Sequence, residues 1–197
     1  MPIQPLFLLA STSPRRKALL EALGLPFTVV PNPWEEVPRD GERASSQVRR
    51  LAREKLVHYL KEHPDTTLPV LTADTLLVFR GQSLNKPADA HQAWQFYRRL
   101  AGHRHRVLTC FALSDPRTGR WRQQTVSTAV DFVPWDEGLY RRYLDRGEWR
   151  DAAGGYKIQE TGSILVRSLS GSWSNVVGLP IPQVYAILLA TLRVPVV

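Results

Sequence analysis

The 197-residue chain is poor in the features that stabilise secreted proteins and membrane proteins. Cys110 is the only cysteine, which excludes an internal disulfide and fits a reducing compartment. No apolar run approaches the roughly 20 residues of a membrane-spanning helix. The apolar residues 5–10 form only a short run, and Arg15, Arg16 and Lys17 follow it instead of preceding it, so we expect no signal peptide. The sequence therefore predicts a cytoplasmic protein with no membrane partner.

Acidic residues are also scarce relative to basic ones. There are 26 Lys and Arg against 18 Asp and Glu, which gives a net charge of +8. Such a surplus favours anionic partners, namely nucleotides, phosphate esters or nucleic acid, but it does not choose among them. The common signatures of zinc, Walker and Rossmann sites are absent, and so is a persuasive Ser-His-Asp order. Candidate functional residues must therefore be identified one by one, from side chains that are unusual in their local sequence.

Apolar, β-prone segments alternate with amphipathic segments along the chain. The predicted strands are residues 5–10, 27–30, 70–79, 106–114, 121–133, 156–159 and 163–169. The predicted helices run from Ser13-Pro14 to Gly24, over 44–63, from Asp89 to near Gly102, over 137–146, and from near Pro182 to near Arg193. One antiparallel hairpin among alternating elements predicts an α/β fold with a mixed sheet. The length and composition suit a single domain over residues 1–197.

Asp74 is the most informative residue, because it lies inside the apolar strand predicted at residues 70–79. A buried carboxylate is costly unless it is paired, bound to a metal or opened to a cleft. Perturbed carboxylates of this kind mark functional sites. The alternative is a strand-end aspartate that caps a turn.

Lys55 provides a candidate partner for that carboxylate. On a helical wheel of residues 44–63 it falls in the middle of the apolar stripe, between Leu51 and Tyr59. A lysine on such a face must snorkel, pair, or line a polar cleft. The helix leads through a short loop into the strand of Asp74, which favours the cleft over simple snorkelling.

The segment Ser11-Thr12-Ser13-Pro14-Arg15-Arg16 lies between the first strand and the first helix. The N-terminus of a helix presents free N–H groups and the positive end of the dipole. Hydroxyls and guanidinium groups at that point can form a phosphate cradle. An ordinary helix cap followed by exposed arginines is the alternative.

Three further positions carry candidate functional groups in loops. Lys86 precedes Pro87, which favours an extended backbone, although a plain surface lysine fits equally. Glu36 could share a divalent cation with Asp74, because hard cations bind carboxylate and phosphate oxygens, or it could simply be solvated. Gln159 follows a glycine pair and offers both a donor and an acceptor to a nucleobase edge.

Taken together, these segments resemble the Maf family of nucleotide pyrophosphatases, also called septum-formation proteins. The matching stretches are Leu9-Ala10-Ser11-Thr12-Ser13-Pro14-Arg15-Arg16, Leu51-Ala52-Arg53-Glu54-Lys55, Ala73-Asp74-Thr75, Lys86-Pro87, His105-Arg106-Val107, Ala153-Gly154-Gly155-Tyr156-Lys157-Ile158-Gln159 and Gly178-Leu179-Pro180. They occur in family order and cover nearly the whole chain. Any one of them is weak, but seven in order are a specific match.

The resemblance implies hydrolysis of a nucleoside triphosphate to the monophosphate and pyrophosphate with a divalent cation, Mg²⁺ or Mn²⁺. It implies an elongated α/β fold, related to that of inosine-triphosphate pyrophosphatases, with a mixed sheet flanked by helices and a deep cleft between two lobes. It also allows a homodimer. The Gly-Tyr-Lys-Ile-Gln form of the late motif looks like the subgroup that acts on dTTP and UTP.

The family pattern also implies a role for each matching residue. Asp74 is expected to be the catalytic base and, with Glu36, a metal ligand. The expected substrate-binding residues are Ser11, Arg15, Arg16, Lys55, Thr75, Lys86 and Gln159. Two departures from the family, Ala152 for a lysine and Glu160 for a glycine, leave Asp74 unchanged but bear on base preference.

Two rival functions remain open at this point. The +8 charge also suits a basic nucleic-acid-binding or division-regulating protein without hydrolase activity. Nucleic acid is nevertheless not the expected partner, because buried acids such as Asp74 repel a phosphate backbone. The second rival is a purine-selective enzyme of the inosine-triphosphate pyrophosphatase type.

Overall fold

A computed structural model describes residues 4–37 and 39–192 of the chain. Its strands are β1 (Phe7–Ala10), β2 (Phe27–Val30), β3 (Val70–Phe79), β4 (Gln82–Leu84), β5 (Arg104–Asp115), β6 (Arg120–Phe132) and β7 (Val166–Ser170). Its α-helices are α1 (Pro14–Glu21), α2 (Ala44–Glu62), α3 (Ala90–Leu100), α4 (Glu137–Asp145), α5 (Trp173–Val177) and α6 (Ile181–Leu192). No helix within these residues has the length and apolar character needed to cross a membrane. The end predicted near Arg193 for the last helix lies outside the described residues.

The strands form one mixed sheet. Its order is β2-β1-β3-β5-β6-β7, and β4 pairs with β3 beside this path. Strand β1 runs parallel to β2 and to β3, whereas β3 with β4 and β6 with β7 are antiparallel. The predicted α/β class with a mixed sheet is therefore confirmed.

The backbone contacts group the chain into two compact units, which are described separately. The first unit takes the described residues of 1–74, 109–126 and 178–197, and the second takes residues 75–108 and 127–177. The expectation of a single domain over residues 1–197 stays a prediction.

In the first unit, helices cover both faces of the sheet. Leu9 and Leu71 pack in one apolar cluster with Leu20 of α1 and Leu188 of α6. A second cluster places the neighbouring strand residues Ala10 and Val70 against Leu56 and Tyr59 of α2. Because successive side chains of a strand point to opposite faces, both faces of β1 and β3 are apolar, as expected for a sheet covered on both sides.

In the second unit, aromatic side chains form much of the core. Tyr97 of α3, Tyr140 and Tyr143 of α4, and Phe132 of β6 are fully buried, and their rings lie between 5.7 and 6.5 Å apart in successive pairs. Aromatic pairs at such separations add to the free energy gained by burying their area. The core therefore fixes α3 and α4 relative to each other.

Two sequence expectations are wrong in the second unit. The strand predicted at residues 156–159 is absent, and a 3-10 turn at Ala153–Gly155 and a second one at Thr161–Leu165 flank an irregular segment. Gly154 and Gly155 have φ values of 70° and 77°, and tyrosine hydroxyls instead of a neighbouring strand bond the backbone of this segment. The strand predicted at residues 163–169 is wrong at its start, because residues 163–165 belong to the second 3-10 turn and β7 begins only at Val166. The short helix α5 has no counterpart among the predicted elements.

Candidate active site

The alternation of side chains along β3 decides where Asp74 points. Leu71 and Ala73 pack into the cluster that contains α1 and α6. Thr72, one residue away, points to the opposite face and donates a hydrogen bond to the carbonyl oxygen of Ala52 in α2 at 2.8 Å. The strand period of two therefore directs Asp74 towards α2 as well.

Lys55 meets Asp74 on that face. Its Nζ donates to Oδ1 of Asp74, and the two side chains are 25% and 13% exposed. The sequence predicted an inward cation beside an inward carboxylate, and the contact confirms this pairing. Asp74 as a whole is buried, but neither side chain of the pair is completely sealed from solvent.

The segment before α2 contacts the helix near its middle, at Lys55, and near its start, at Gln47. The Nδ2 atom of Asn32 donates to the carbonyl oxygen of Lys55 at 3.0 Å, and the Trp34 ring centre lies 5.7 Å from Nζ of Lys55. Glu36 lies farther along the segment and is exposed. Its Oε1 accepts a hydrogen bond from Gln47 of α2 at 3.1 Å. Trp34 thus supplies an aromatic face to the ammonium group, an attraction typical of cation–π contacts.

The turn between β1 and α1 contains the second group of candidate residues. Ser13 caps α1 by accepting from the amide of Arg16, and Pro14 occupies the first turn, as the sequence predicted. Ser11 is buried, and its Oγ accepts from the amide of Ser13 at 3.2 Å and from Nη1 of Arg16 at 3.4 Å. Ser11 and Arg16 therefore lie together at the N-terminus of a helix, the position that favours anions.

Arg16 is further anchored by a residue distant in sequence. Its Nε donates to the carbonyl oxygen of Gly178 at 3.0 Å. Burial lowers the pKa of the Arg16 guanidinium, the negative charge of Asp74 opposes that shift, and the neighbouring Arg15 adds to it. The carboxylate and this guanidinium are thus close enough to interact electrostatically. The contact with Gly178 was not predicted from the sequence, where the Gly178-Leu179-Pro180 motif was the only signal for it.

The remaining candidate residues belong to the second unit. Thr75 directly follows Asp74 in β3 and is half-buried. Lys86 is 64% exposed, and its Nζ lies 3.6 Å from Oδ1 of Asp151. Gln159 is half-buried, and its Nε2 donates to Oε1 of Glu160 at 3.2 Å. Their expected roles in substrate binding stay predictions.

The side chains alone do not form a closed metal centre. No group of three or more His, Cys, Asp or Glu residues that could hold a metal ion occurs within residues 4–37 and 39–192. Mg²⁺ in proteins usually binds one or two carboxylates and completes its shell with waters and substrate phosphates. The oxygen donors expected here, Asp74 and Glu36, suit a hard cation of that kind.

Comparisons with known proteins cover almost the whole chain. A family model described as Maf-like protein matches residues 6–191. The chain is 43% identical over 181 residues to a protein of Alcanivorax borkumensis named dTTP/UTP pyrophosphatase, with 91% of this chain and 92% of the relative covered. A Myxococcus xanthus protein of the same name is 42% identical over 186 residues, with 94% and 92% covered.

Further matches include another relative and one solved structure. A Syntrophus aciditrophicus protein, also named dTTP/UTP pyrophosphatase, is 40% identical over 177 residues, with 90% of this chain and 85% of the relative covered. Among solved structures, the Ham1 protein of Staphylococcus aureus aligns with 64% of this chain and 71% of its own, at 11% identity and a TM-score of 0.40.

Proposed function

Because the chain belongs to the Maf-like family, we propose that it is a nucleoside triphosphate pyrophosphatase that converts dTTP and UTP to their monophosphates and pyrophosphate. The family assignment confirms the resemblance seen in the seven motifs. The names of the relatives support the substrate class. The observation that carries the proposal is the partly exposed Lys55–Asp74 pair, whose carboxylate also acts on the pKa of Arg16 at the start of α1.

In this proposal Asp74 is the general base. A water molecule attacks the α-phosphorus and passes its proton to the Asp74 carboxylate, the bond from that phosphorus to the bridging oxygen breaks, and pyrophosphate leaves. A base in contact with the reacting water contributes about 10²–10⁴-fold to the rate. Lys55 compensates the burial of the carboxylate and provides positive charge for the substrate.

The cations offset the charge of the triphosphate. Ser11 and Arg16 offer a hydroxyl and a guanidinium group at a helix N-terminus, and Arg15 and Lys86 are proposed to add positive charge along the phosphates. Fixed cations favour a transition state in which negative charge spreads over phosphoryl oxygens. Thr75 and Gln159 are proposed to select the nucleobase by hydrogen bonds.

A divalent cation, Mg²⁺ or Mn²⁺, would be held by carboxylate oxygens of Asp74 and Glu36 together with substrate phosphates. Bound there, it would neutralise charge on the phosphoryl oxygens. Glu36 already lies in a defined position, because Gln47 donates to its Oε1.

A panel of nucleoside triphosphates tests the proposal. UTP, dTTP, CTP, ATP, GTP and ITP are incubated with the protein and Mg²⁺ or Mn²⁺, and monophosphate and pyrophosphate are measured together. We expect equal amounts of the two products, with UTP and dTTP turned over fastest. Preference for ITP would favour the purine-selective alternative. No turnover, combined with steeply salt-dependent binding to DNA or RNA, would favour the nucleic-acid-binding alternative.

A further inference from the structure

The segment 153–159, which ends in Gln159, has a backbone that no strand holds. Gly154 and Gly155 adopt positive φ, and the amide of Gly154 donates to the carbonyl oxygen of Asn85 at 3.1 Å. Most of the segment is nevertheless buried. Buried backbone groups need hydrogen-bond partners, so other groups must replace the missing strand.

Two tyrosine hydroxyls supply those partners. Tyr97 of α3 donates to the carbonyl oxygen of Gly155 at 2.6 Å, and Tyr143 of α4 accepts from the amide of Lys157 at 3.1 Å. Both tyrosines are fully buried, and burial raises the pKa of each above its ordinary value, so that both hydroxyls are protonated at neutral pH. The helices α3 and α4 thus hold the segment at two points only two residues apart.

Glycine at position 162 makes room for this arrangement. A Cβ atom there would lie 2.5 Å from the carbonyl oxygen of Lys157 and 2.9 Å from the hydroxyl of Tyr143. Both distances are too short for real contacts, so the close approach of the two elements depends on the absence of a side chain. Between the two tethers, the hydroxyl of Tyr156 meets Nε2 of His105 at 2.9 Å.

We propose that the hydroxyl groups of Tyr97 and Tyr143 position Gln159 for selection of the nucleobase. This inference rests on the proposed function. Discrimination by hydrogen bonds requires a donor and acceptor that are fixed within a fraction of an ångström, since a mobile amide can adapt to a wrong base. Lys157, which Tyr143 tethers, precedes Gln159 by only two residues. The tethers therefore fix the backbone from which the side-chain amide of Gln159 extends. Tyr97 and Tyr143 are positioning residues, because they act through the segment and not on the substrate.

The chain offers a closely matched control. Tyr140 belongs to the same aromatic core, is fully buried, and donates to a backbone carbonyl oxygen, that of Val133, at 3.0 Å. Its hydroxyl does not bond the segment 153–159. The substitutions Tyr97→Phe, Tyr143→Phe and Tyr140→Phe therefore each remove one buried hydroxyl, but only the first two remove a tether.

The decisive quantity is the ratio of kcat/KM for UTP to that for CTP, whose pyrimidine edge exchanges donor and acceptor positions. We expect this ratio to fall by about tenfold in Tyr97→Phe and Tyr143→Phe, because small misplacements of binding groups are costly, and to stay at the wild-type value in Tyr140→Phe. Amide hydrogen exchange gives an activity-independent readout: the Lys157 amide should exchange faster in Tyr143→Phe but not in Tyr140→Phe.

The outcomes separate the two proposals. If the wild-type protein hydrolyses UTP but all three variants keep its selectivity, or lose it equally, the positioning role is wrong and the proposed function stands. If exchange at Lys157 is unchanged in Tyr143→Phe, the tether itself is wrong. If the wild-type protein releases no pyrophosphate from any nucleotide, the proposed function fails and this inference fails with it.

Discussion

The ammonium group of Lys55 lies against Oδ1 of Asp74, so a charge pair joins the middle of α2 to the middle of β3. The helical period of α2 and the two-residue period of β3 independently direct these two side chains towards each other. Lys55 lies on the face of α2 that also carries the buried residues Leu51 and Tyr59, and Asp74 lies on the α2-facing side of β3. A single-residue shift in either element would separate the two charges.

Replacing Lys55 by methionine tests what the cation contributes beyond packing. We expect kcat/KM for UTP to fall by about 10²-fold, as for the loss of one fixed charge-stabilising group. Lys61→Met is the control, since Lys61 is an exposed lysine in the last turn of the same helix. Unchanged kinetics in Lys55→Met would leave Lys55 with only a structural role as the partner of Asp74. Thermal unfolding checks that both variants are folded.

His105 makes the stability of the protein depend on pH. It is 2% exposed, and burial lowers its pKa to about 4, with the charge of Asp131 acting in the opposite direction. The folded state therefore keeps His105 neutral, while the unfolded chain takes up a proton below about 6.5. The free energy of unfolding that depends on His105 is fully retained above pH 6.5. It falls as the pH drops towards 4, by at most about 3 kcal/mol.

Urea unfolding between pH 7.5 and 4 measures this loss. His105→Gln should flatten the dependence over this interval, and His103→Gln, at an exposed histidine two residues earlier, should keep the wild-type slope. In the folded protein the pKa of Asp131 is lower than that of His105, because hydrogen bonds from Arg104 and Ser168 depress it. A wild-type slope in His105→Gln would contradict the assignment.

Gly154 is required by both its backbone and its surroundings. Its φ is +70°, and a Cβ would lie 2.3 Å from Cδ1 of Leu77. Gly81, in the same unit, has φ +82° and no atom within 4 Å of such a Cβ. We expect Gly81→Ala to lose about 1–2 kcal/mol of unfolding free energy from strain alone, and Gly154→Ala to lose about 1–3 kcal/mol more from overpacking. Equal losses in denaturant unfolding would show that the clash is relieved at no cost.

Local sequence signals predicted much of this fold. The Ser13-Pro14 start of α1, the limits of β2 and β3, and the Asp89 cap of α3 follow from short-range rules of capping and alternation. The pairing of Lys55 with Asp74 was also predictable, because each residue breaks an apolar pattern.

Long-range contacts account for what the sequence did not predict. The segment 156–159 has strand-like composition, yet its backbone partners are hydroxyls on α3 and α4, which no local pattern indicates. The anchoring of Arg16 by Gly178 joins residues 162 positions apart. Such contacts depend on how distant segments pack, and packing is not encoded within a local window.

Pyrophosphate release by the Asp74→Asn variant at saturating UTP tests the central claim most directly. The substitution keeps the shape of the side chain but removes the base, so we expect turnover to fall by about 10²–10⁴-fold while UTP binding, measured by calorimetry, is retained. Asp115→Asn, at an aspartate paired with Arg117 in the β5–β6 turn, should keep the wild-type rate. Release by Asp74→Asn at the wild-type rate would contradict the account.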